Sequence, residues 1–359
     1  MRRPPGRPPG HWATVAVVAA IAVALPFLGS WAAADDESEP KERTAAARAE
    51  PDPAGRQARA ERGRGPARPR ATGQVAVGAY VPDGTRRPSR FTRYARMTGH
   101  TPAILLYYRN WKAKHAFDAV TLRRIARQRA VPMLTWEPAR TSLRDIAAGR
   151  HDRYVRRQAR DARRFRRPVL VRFAHEMNGD WYSWGAHANT PATFIAAWRR
   201  VVGLFRDEGA RNARFVWSPN ADDEGLGRIV RRYPGDRWVD WVGLSGFSWG
   251  GPWDWEGPSD IFYASYRALT RITKRPLMIA ETAAHETGGD KADWIRWLFD
   301  RDLRQMPRVR AVVWFNGREN WARWDVDSTR RSLRAFRKHV ASPRYSGTAT
   351  DVERGGRRK

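Results

Sequence analysis

The chain of 359 residues contains no cysteine. Disulfide bonds, thiolate metal sites and cysteine nucleophiles are therefore excluded, and so is a small module held together by disulfides. The sequence also lacks a Gly-rich phosphate-binding loop and an RNA-binding aromatic motif. Its length permits a large hydrophobic core that needs no covalent cross-links.

The N-terminus has the composition of an export signal. Arg2, Arg3 and Arg7 precede an apolar run over residues 13–28, and the small residues 32–34 offer a cleavage site. The run is shorter than the about 20 residues that a stable membrane span needs. We therefore predict a cleaved signal peptide at residues 1–34 and a secreted protein, with an uncleaved N-terminal anchor as the alternative.

Large hydrophobic side chains are almost absent from residues 35–72. An acidic, Ala-rich stretch at 35–50 is followed by a basic stretch with Gly and Pro at 56–70, and neither can form a core. This composition predicts a disordered linker at 35–72. The polar, basic C-terminus predicts a disordered tail at 343–359, which leaves residues 73–342 for one folded domain.

The formal net charge is +30, from 67 Lys and Arg against 37 Asp and Glu. The arginines are scattered along the folded domain, which is typical of a solvated basic surface, so we expect no nucleic-acid partner. Loose association with anionic cell-wall polymers is the alternative that this charge leaves open. We expect a monomer.

From residue 74 onward, short apolar runs alternate with segments of helical periodicity at 117–128, 193–205 and 294–303. Continuous apolar strands indicate a parallel sheet that is covered on both faces. Eight such strands in about 270 residues predict an α/β fold, a single (β/α)8 TIM barrel, with a doubly wound open sheet as the competing architecture. The predicted strands are 75–81, 102–108, 131–136, 169–174, 214–218, 239–246, 276–280 and 311–315.

The C-terminal ends of barrel strands are where active sites form. Glu176 follows the fourth predicted strand and Glu281 follows the seventh, on opposite sides of the barrel mouth. Two carboxylates placed in this way can flank a glycosidic bond, where one protonates the leaving oxygen and the other attacks the anomeric carbon. A single Glu after a strand is more often a cap or an ion-pair partner. Tyr108 and Glu137 end the second and third strands.

Several tryptophans occur in loops that are broken by glycine near these strand ends. Trp181 and Trp184 lie in "DWYSWG", and Trp249 lies in "SWGGPWDWEG". Tryptophan in such loops is less readily explained as core, so we interpret these rings as platforms that stack on sugar faces. For His175, the alternative is a buried hydrogen-bonding residue.

The segment "RFAHEMNGDWYSW", together with "LMIAETA", resembles glycoside hydrolase family 26, the endo-β-mannanase family. The resemblance covers about residues 74–340. It implies a retaining barrel enzyme in which Glu176 is the general acid/base and Glu281 the nucleophile, with no metal or organic cofactor. It further implies substrate-binding roles for residues around the scissile bond and on the cleft floor, namely His175, Asn178, Trp181 and Trp314.

Phe247 marks a departure from the pattern that this resemblance implies. Members of the family commonly carry a tyrosine at the end of the sixth strand, where it hydrogen-bonds the nucleophile, and here the strand reads "VGLSGFSWG". Phenylalanine keeps the ring and loses the donor, which predicts reduced activity unless another group, such as Tyr182, substitutes. Phe247 and Trp249 are nevertheless predicted to contact substrate.

Three functional interpretations follow. The first is a secreted retaining endo-β-glycanase that acts on mannan. The second is a non-catalytic or weakly active carbohydrate-binding barrel at the cell wall, which the loss of the tyrosine at Phe247 favours. The third is a glycanase for another β-glycan, because a family fold does not fix the substrate.

Overall fold

The computed structural model describes residues 73–223, 227–251, 253–318 and 322–355. The predicted signal peptide at 1–34 and linker at 35–72 lie outside the described residues. In the part of the chain that is described, no helix has the length and apolar character needed to cross a membrane.

Eight parallel strands form a closed barrel in the order β1 to β8. The barrel closes between β1 and β8, where Ala76 is opposite Ala311 and Tyr80 is opposite Phe315. This closure confirms the predicted TIM barrel and rules out the open doubly wound sheet. The strands are β1 (Ala76–Tyr80), β2 (Ile104–Asn110), β3 (Val131–Glu137), β4 (Val169–Phe173), β5 (Ala213–Trp217), β6 (Trp241–Ser248), β7 (Leu277–Ala284) and β8 (Val309–Phe315).

Helices connect the strands on the outside of the barrel and begin where the sequence supplies capping groups. The Asp118 side chain accepts a hydrogen bond from the Thr121 amide at one such start, and Thr190 caps another, with Pro191 in the first turn. The helices are α1 (Pro88–Thr98), α2 (Ala119–Arg127), α3 (Leu143–Ala147), α4 (Asp152–Phe165), α5 (Pro191–Asp207), α6 (Gly227–Arg231), α7 (Pro258–Ile272), α8 (Lys291–Arg296), α9 (Leu303–Gln305), α10 (Arg330–Val340) and α11 (Ala349–Gly355).

The apolar strand residues divide into two cores. Alternate side chains such as Ile104, Met133 and Leu170 fill the barrel interior. Their neighbours in sequence, such as Leu105 and Leu134, pack in a second cluster between the sheet and the helices. Because both faces of each strand are buried, the strands read as continuous apolar runs rather than as an alternating pattern.

The C-terminal segment belongs to the folded domain, so the predicted disordered tail at 343–359 is wrong for residues 343–355. Pro343–Tyr345 forms a 3-10 turn, Gly347 bridges to Ala76, and α11 follows. Val352 is buried in the interior core, and Tyr345 is buried as well. These two apolar side chains give an otherwise polar and basic segment enough buried surface to fold against the barrel.

Candidate active site

Arg172 occupies the centre of the barrel interior at the level where the strands end. It lies on β4, two residues beyond the apolar Leu170 on the same face, and its side chain is fully buried. The guanidinium donates hydrogen bonds to the hydroxyls of Ser218 (3.0 Å) and Thr135 (3.2 Å), and to that of Ser245. Neighbouring strands β3, β5 and β6 are therefore joined through one charged side chain.

Glu281 reaches this centre because β7 contains a bulge. Leu244 of β6 is opposite Ile279, but the next residue of β6, Ser245, is opposite Glu281. Ala280 is therefore an extra residue, and its side chain lies in the interior core. Without the bulge, the alternation of the strand would direct Glu281 toward the helices; the inserted residue turns its carboxylate into the barrel mouth.

Both oxygens of the Glu281 carboxylate are held by protein donors. Arg172 forms an ion pair with Oε2 at 2.6 Å, and the hydroxyl of Tyr108 donates to Oε1. Burial lowers the pKa of Arg172, but the neighbouring Glu281, Tyr108 and Glu176 raise it above its ordinary value, so the guanidinium stays charged. Glu281 is thus fixed in one orientation beside a permanent cation.

Glu176 lies across the mouth in a different environment. Its backbone is in the left-handed region with φ 53°, as is that of Ala174 with φ 44°, a conformation that costs about 1–3 kcal/mol at a non-glycine residue. Its carboxylate accepts hydrogen bonds from Trp181 Nε1 (3.0 Å) and Asn220 Nδ2 (3.4 Å). Burial and the negative charge of Glu281 raise the pKa of Glu176 to about 7, against the opposing effect of Arg172.

His175 and Tyr182 form the wall beside Glu176. The His175 ring lies 3.2 Å from the Tyr182 hydroxyl through Nε2, and burial together with Arg172 holds the pKa of His175 well below its usual range. The imidazole is therefore neutral. Tyr182 bonds His175 rather than Glu281, so the donor that replaces the absent tyrosine at Phe247 is Tyr108.

Trp184 does not face the cleft. Its ring is buried, stacks on Tyr182 with 4.3 Å between centroids, and donates through Nε1 to the His175 carbonyl at 2.7 Å. The expectation that Trp184 stacks on sugar is therefore wrong. Trp181, by contrast, is half-buried and directs its ring nitrogen to Glu176.

Asn178 braces the loop behind Glu176. The side chain is buried, and its amide nitrogen donates to the carbonyls of Asn220 (3.0 Å) and Asp222 (3.2 Å). Its oxygen accepts from the Asn220 amide at 2.8 Å. Because Asn220 in turn contacts Glu176, Asn178 fixes the backbone behind Glu176, and its contact with the sugar stays a prediction.

Phe247 and Trp249 belong to an aromatic wall at the ends of β6 and β8. Both rings are half-buried, and Phe247 lies 5.5 Å from Trp249, 5.8 Å from Phe315 and 5.3 Å from Trp324 between ring centroids. The flat apolar faces at the ends of β6 and β8 match the requirements of a sugar-binding cleft.

Trp314 lies outside the mouth, so its predicted place on the cleft floor is wrong. Its side chain is fully buried and packs against Trp294 and Phe336 on the helix side of the sheet. Because successive residues of a strand point to opposite faces, the next residue, Phe315, reaches the interior. There it stacks on Tyr80 with 4.6 Å between ring centroids.

The sequence interpretation missed Arg172 entirely and gave Tyr108 no role. A signal for Arg172 was present, because an arginine inside the buried strand "VLVRF" requires a carboxylate partner. No comparable signal marks Tyr108, which depends on the three-dimensional approach of β2 to the bulged β7. Among the described residues, no group of three His, Asp or Glu side chains is arranged to hold a metal ion.

An eight-stranded barrel with two unlike carboxylates and aromatic walls at its mouth is an arrangement that glycoside hydrolases use. The family model "Glycosyl hydrolase family 26" matches residues 149–285, which contain both Glu176 and Glu281. This part of the chain is therefore similar to glycoside hydrolase family 26.

The curated relatives carry the names of glycan-degrading enzymes and are longer than the matched region. Endoglucanase H of Acetivibrio thermocellus is 32% identical over 278 residues, which cover 75% of this chain and 30% of the relative. Mannan endo-1,4-beta-mannosidase A and B of Caldalkalibacillus mannanilyticus is 36% identical over 168 residues, which cover 44% of this chain and 30% of the relative. The chain thus spans about a third of the length of either protein.

Solved structures share the fold at low sequence identity. The catalytic domain of the Bacillus sp. JAMB-750 GH26 endo-beta-1,4-mannanase superposes with a TM-score of 0.62 at 17% identity, covering 79% of this chain and 89% of that chain. A Cellulomonas fimi endo-beta-1,4-mannanase double mutant gives a TM-score of 0.61 at 18% identity, covering 79% of this chain and 74% of that chain.

Proposed function

We propose that this protein is a retaining endo-β-glycanase in which Glu281 is the nucleophile and Glu176 the general acid/base, with β-mannan as the substrate. The observation that carries the proposal is the contrast between the two carboxylates. Glu281 is fixed by an arginine and a tyrosine, as a nucleophile must be. Glu176 is buried with its pKa raised to about 7, as a proton donor must be.

The reaction follows from these environments in two steps. A Glu281 oxygen attacks the anomeric carbon while Glu176 gives its proton to the leaving oxygen, which breaks the glycosidic bond and forms a glycosyl-enzyme ester. Glu176, now ionised, removes a proton from water as the water attacks the same carbon and releases Glu281. Arg172 and Tyr108 act by holding Glu281 in line for both steps.

Glu176 changes roles within one catalytic cycle, and its surroundings suit that change. Before the first step, burial and the charge of Glu281 favour the protonated form. Once Glu281 is esterified, its negative charge is gone, so the pKa of Glu176 falls and the residue is better able to act as the base. Trp181 Nε1, at 3.0 Å, keeps the carboxyl in place throughout.

Mannan is the first substrate candidate because mannan endo-1,4-beta-mannosidases are among the curated relatives. A β-glucan is the second, and one observation favours it: the relative that aligns with 75% of this chain is named an endoglucanase. Both candidates are neutral hexose polymers, which suits a cleft with aromatic walls and buried carboxylates.

The non-catalytic alternative loses its main argument. It relied on Phe247, which cannot donate a hydrogen bond to the nucleophile. Tyr108, from the opposite side of the mouth, supplies a donor to Glu281. The presence of this donor supports an active enzyme despite the phenylalanine at the end of β6.

The test is reducing-end release from mannan, mixed-linkage β-glucan, cellulose and xylan by the wild type, Glu176→Gln and Glu281→Gln. We expect one glycan to be cleaved by the wild type and by neither variant, and NMR to show products that first appear as the β-anomer. Cleavage by Glu281→Gln at the wild-type rate, or products that first appear as the α-anomer, would contradict the mechanism.

We also propose that the protein is exported, on the strength of the basic start and apolar run before residue 34. Expression of the full chain and mass measurement of the product in the culture medium test this. A secreted species that begins near residue 35 is expected. Retention of the intact chain in the cell membrane would favour the uncleaved anchor.

A further inference from the structure

A third carboxylate, Glu137, lies at the barrel mouth beside the two that the proposed mechanism uses. It is the last residue of β3, and its exposed fraction is 7%. Thr135, two residues earlier on the same face, contacts Arg172 inside the barrel, so the alternation of the strand directs Glu137 inward as well. The charges of Glu281, Arg172 and Glu176 all influence the pKa of Glu137.

Glu137 differs from the other two glutamates because its side chain accepts no hydrogen bond from the described part of the protein, although its backbone carbonyl accepts one from the Trp111 amide. Glu281 is held by two donors, and so is Glu176. None of the described residues donates to the carboxyl of Glu137. Burial, followed by the charges of Glu281 and Glu176, raises its pKa to about 7. A buried, unpaired carboxyl destabilises the fold, and no structural contact here accounts for it.

We propose that Glu137 is a sugar-binding residue, which holds hydroxyl groups of the same sugar unit that Glu281 attacks. This inference rests on the proposed function and assigns a further residue to that site. Glu137 acts by orienting the sugar and takes no part in proton transfer to the leaving oxygen.

The chemistry of the surroundings selects a neutral, hydroxyl-rich ligand. An anionic group would be repelled by the carboxylates, and no group of three His, Asp or Glu side chains in the described part of the chain is arranged to hold a metal ion. Sugar hydroxyls both donate and accept, so they can satisfy the carboxyl in either protonation state. The buried His175 Nδ1, just after the neighbouring strand β4, also lacks a partner among the described residues, so it is a second unsatisfied polar atom near Glu137.

The position of Glu137 favours the attacked sugar rather than the leaving one. The negative charge of Glu281 contributes more than that of Glu176 to the raised pKa of Glu137. Asn110, at the end of β2, is directly opposite Glu137, and β2 also carries Tyr108, which holds Glu281. Glu137 is thus one strand away from the tyrosine that holds the nucleophile.

Two substrates distinguish sugar binding from proton donation. One is the polymer that the wild type hydrolyses, and the other is a 2,4-dinitrophenyl β-glycoside of its oligosaccharide, whose leaving group departs without protonation. We expect Glu137→Ala to lower kcat/KM by about 10–100-fold on both substrates alike, and Glu137→Gln to lower it less. Glu176→Gln should lower it strongly on the polymer and little on the aryl glycoside.

Measurements of stability and of oligosaccharide binding distinguish a sugar-binding role of Glu137 from a purely structural one. Glu137→Gln should raise Tm while it lowers kcat/KM, because an unpaired buried carboxyl is removed. Asp240→Asn is the matched control: Asp240 is a buried carboxylate at the start of β6, at the other end of the barrel, and its replacement should leave kcat/KM unchanged. Calorimetric binding of the oligosaccharide should weaken for Glu137→Ala by a similar factor.

The outcomes separate this inference from the proposed function. If the wild type cleaves a glycan and both Glu137 variants match it on both substrates, the role of Glu137 is overturned. The role would also be overturned if the Glu137 variants were impaired on the polymer but not on the 2,4-dinitrophenyl glycoside. Glu137 would then act as a proton donor to the leaving group. If the wild type cleaves nothing, the proposed function fails, and the role of Glu137 then stands or falls on whether Glu137→Ala weakens oligosaccharide binding.

Discussion

The two ends of the barrel interior are built from the same strands, but the lower end is apolar and the upper end is polar and charged. At the lower end, Ile104, Met133 and Leu170 form an apolar core that α11 closes with Val352. Two to four residues further along the same faces stand Tyr108, Thr135, Glu137 and Arg172. The lower end buries hydrocarbon and stabilises the fold, whereas the upper end buries charge, which costs stability unless every group is paired.

This contrast indicates where function resides in the molecule. The upper end carries a fully buried arginine, a strand bulge and two residues with left-handed backbone. None of these features is needed to close a barrel. Concentrated at one end, they are the features of a site that positions reactive groups at the expense of stability. Changes at the upper end should therefore alter rate, and changes at the lower end should alter stability.

The largest effect is expected for Glu281→Gln. The amide cannot form the ester intermediate, so kcat should fall on the order of 10⁴-fold or more. Circular dichroism and Tm should show an intact fold. Turnover within tenfold of the wild type would mean that another group is the nucleophile.

Arg172→Met is expected to damage both rate and stability, because it leaves Glu281 buried without its ion-pair partner. Loss of one member of a buried pair costs about 3–5 kcal/mol. In a double-mutant cycle, Glu281→Gln in the Arg172→Met background should recover part of this loss, as measured by denaturant unfolding. Additive losses would show that the two side chains are not coupled.

Tyr108→Phe should lower kcat on the order of 10²-fold, because a donor to the nucleophile is removed, with little change in Tm. Phe247→Tyr is the matched comparison. Since Tyr108 already donates to Glu281, adding a hydroxyl at 247 should change kcat by less than about threefold. A large gain from Phe247→Tyr would restore the earlier expectation that the missing hydroxyl limits the enzyme.

The raised pKa of Glu176 predicts a pH dependence of rate and of stability. The acid must start protonated, so kcat/KM should fall as pH rises through about 7, and Glu176→Gln should lack this limb. The folded state binds the proton more tightly than the unfolded state, in which the pKa of Glu176 is near 4.5. The associated stabilisation is therefore complete below pH 4.5 and is lost as pH rises through about 7.

Thermal unfolding from pH 4 to 8.5 checks the stability part of that prediction. The wild type should lose Tm between about pH 4.5 and 7 more steeply than Glu176→Gln does, once the pH dependence that both proteins share is subtracted. Glu137 has a shift of the same sign, so the double variant Glu137→Gln/Glu176→Gln should show the smallest loss. Parallel profiles for all three proteins would contradict the assignment.

The smallest effect on rate is expected at the lower end. Val352→Ala removes two methyl groups from the interior core and should cost about 1–2 kcal/mol of unfolding free energy. Its kcat should equal that of the wild type. A large loss of rate would show that the two ends of the barrel are energetically coupled.

The eight strands and both glutamates could be predicted from sequence because they depend on local signals. Each strand is an apolar run that is buried on both faces, and Glu176 follows one of them directly. The place of Glu281 on β7 was predicted, but its inward direction depends on the bulge at Ala280. No sequence pattern predicts this bulge. Trp314 was assigned to the wrong face for a related reason, because a shift of one residue on β8 decides between cleft and core.

The remaining gaps concern contacts between distant parts of the chain. Tyr108 and Glu281 are separated by 173 positions, and no local pattern predicts their hydrogen bond. The folded C-terminus was missed because its apolar content is two isolated side chains, Tyr345 and Val352, and their burial depends on the barrel that receives them.

The most direct test of the central claim is to trap the glycosyl-enzyme. A 2,4-dinitrophenyl 2-deoxy-2-fluoro-β-oligosaccharide of the hydrolysed glycan forms the ester rapidly and hydrolyses it slowly. The account predicts one label per chain, located by peptide mass mapping on Glu281 and absent in Glu281→Gln. A label on Glu176 or Glu137, or no label on an enzyme that cleaves the polymer, would contradict it.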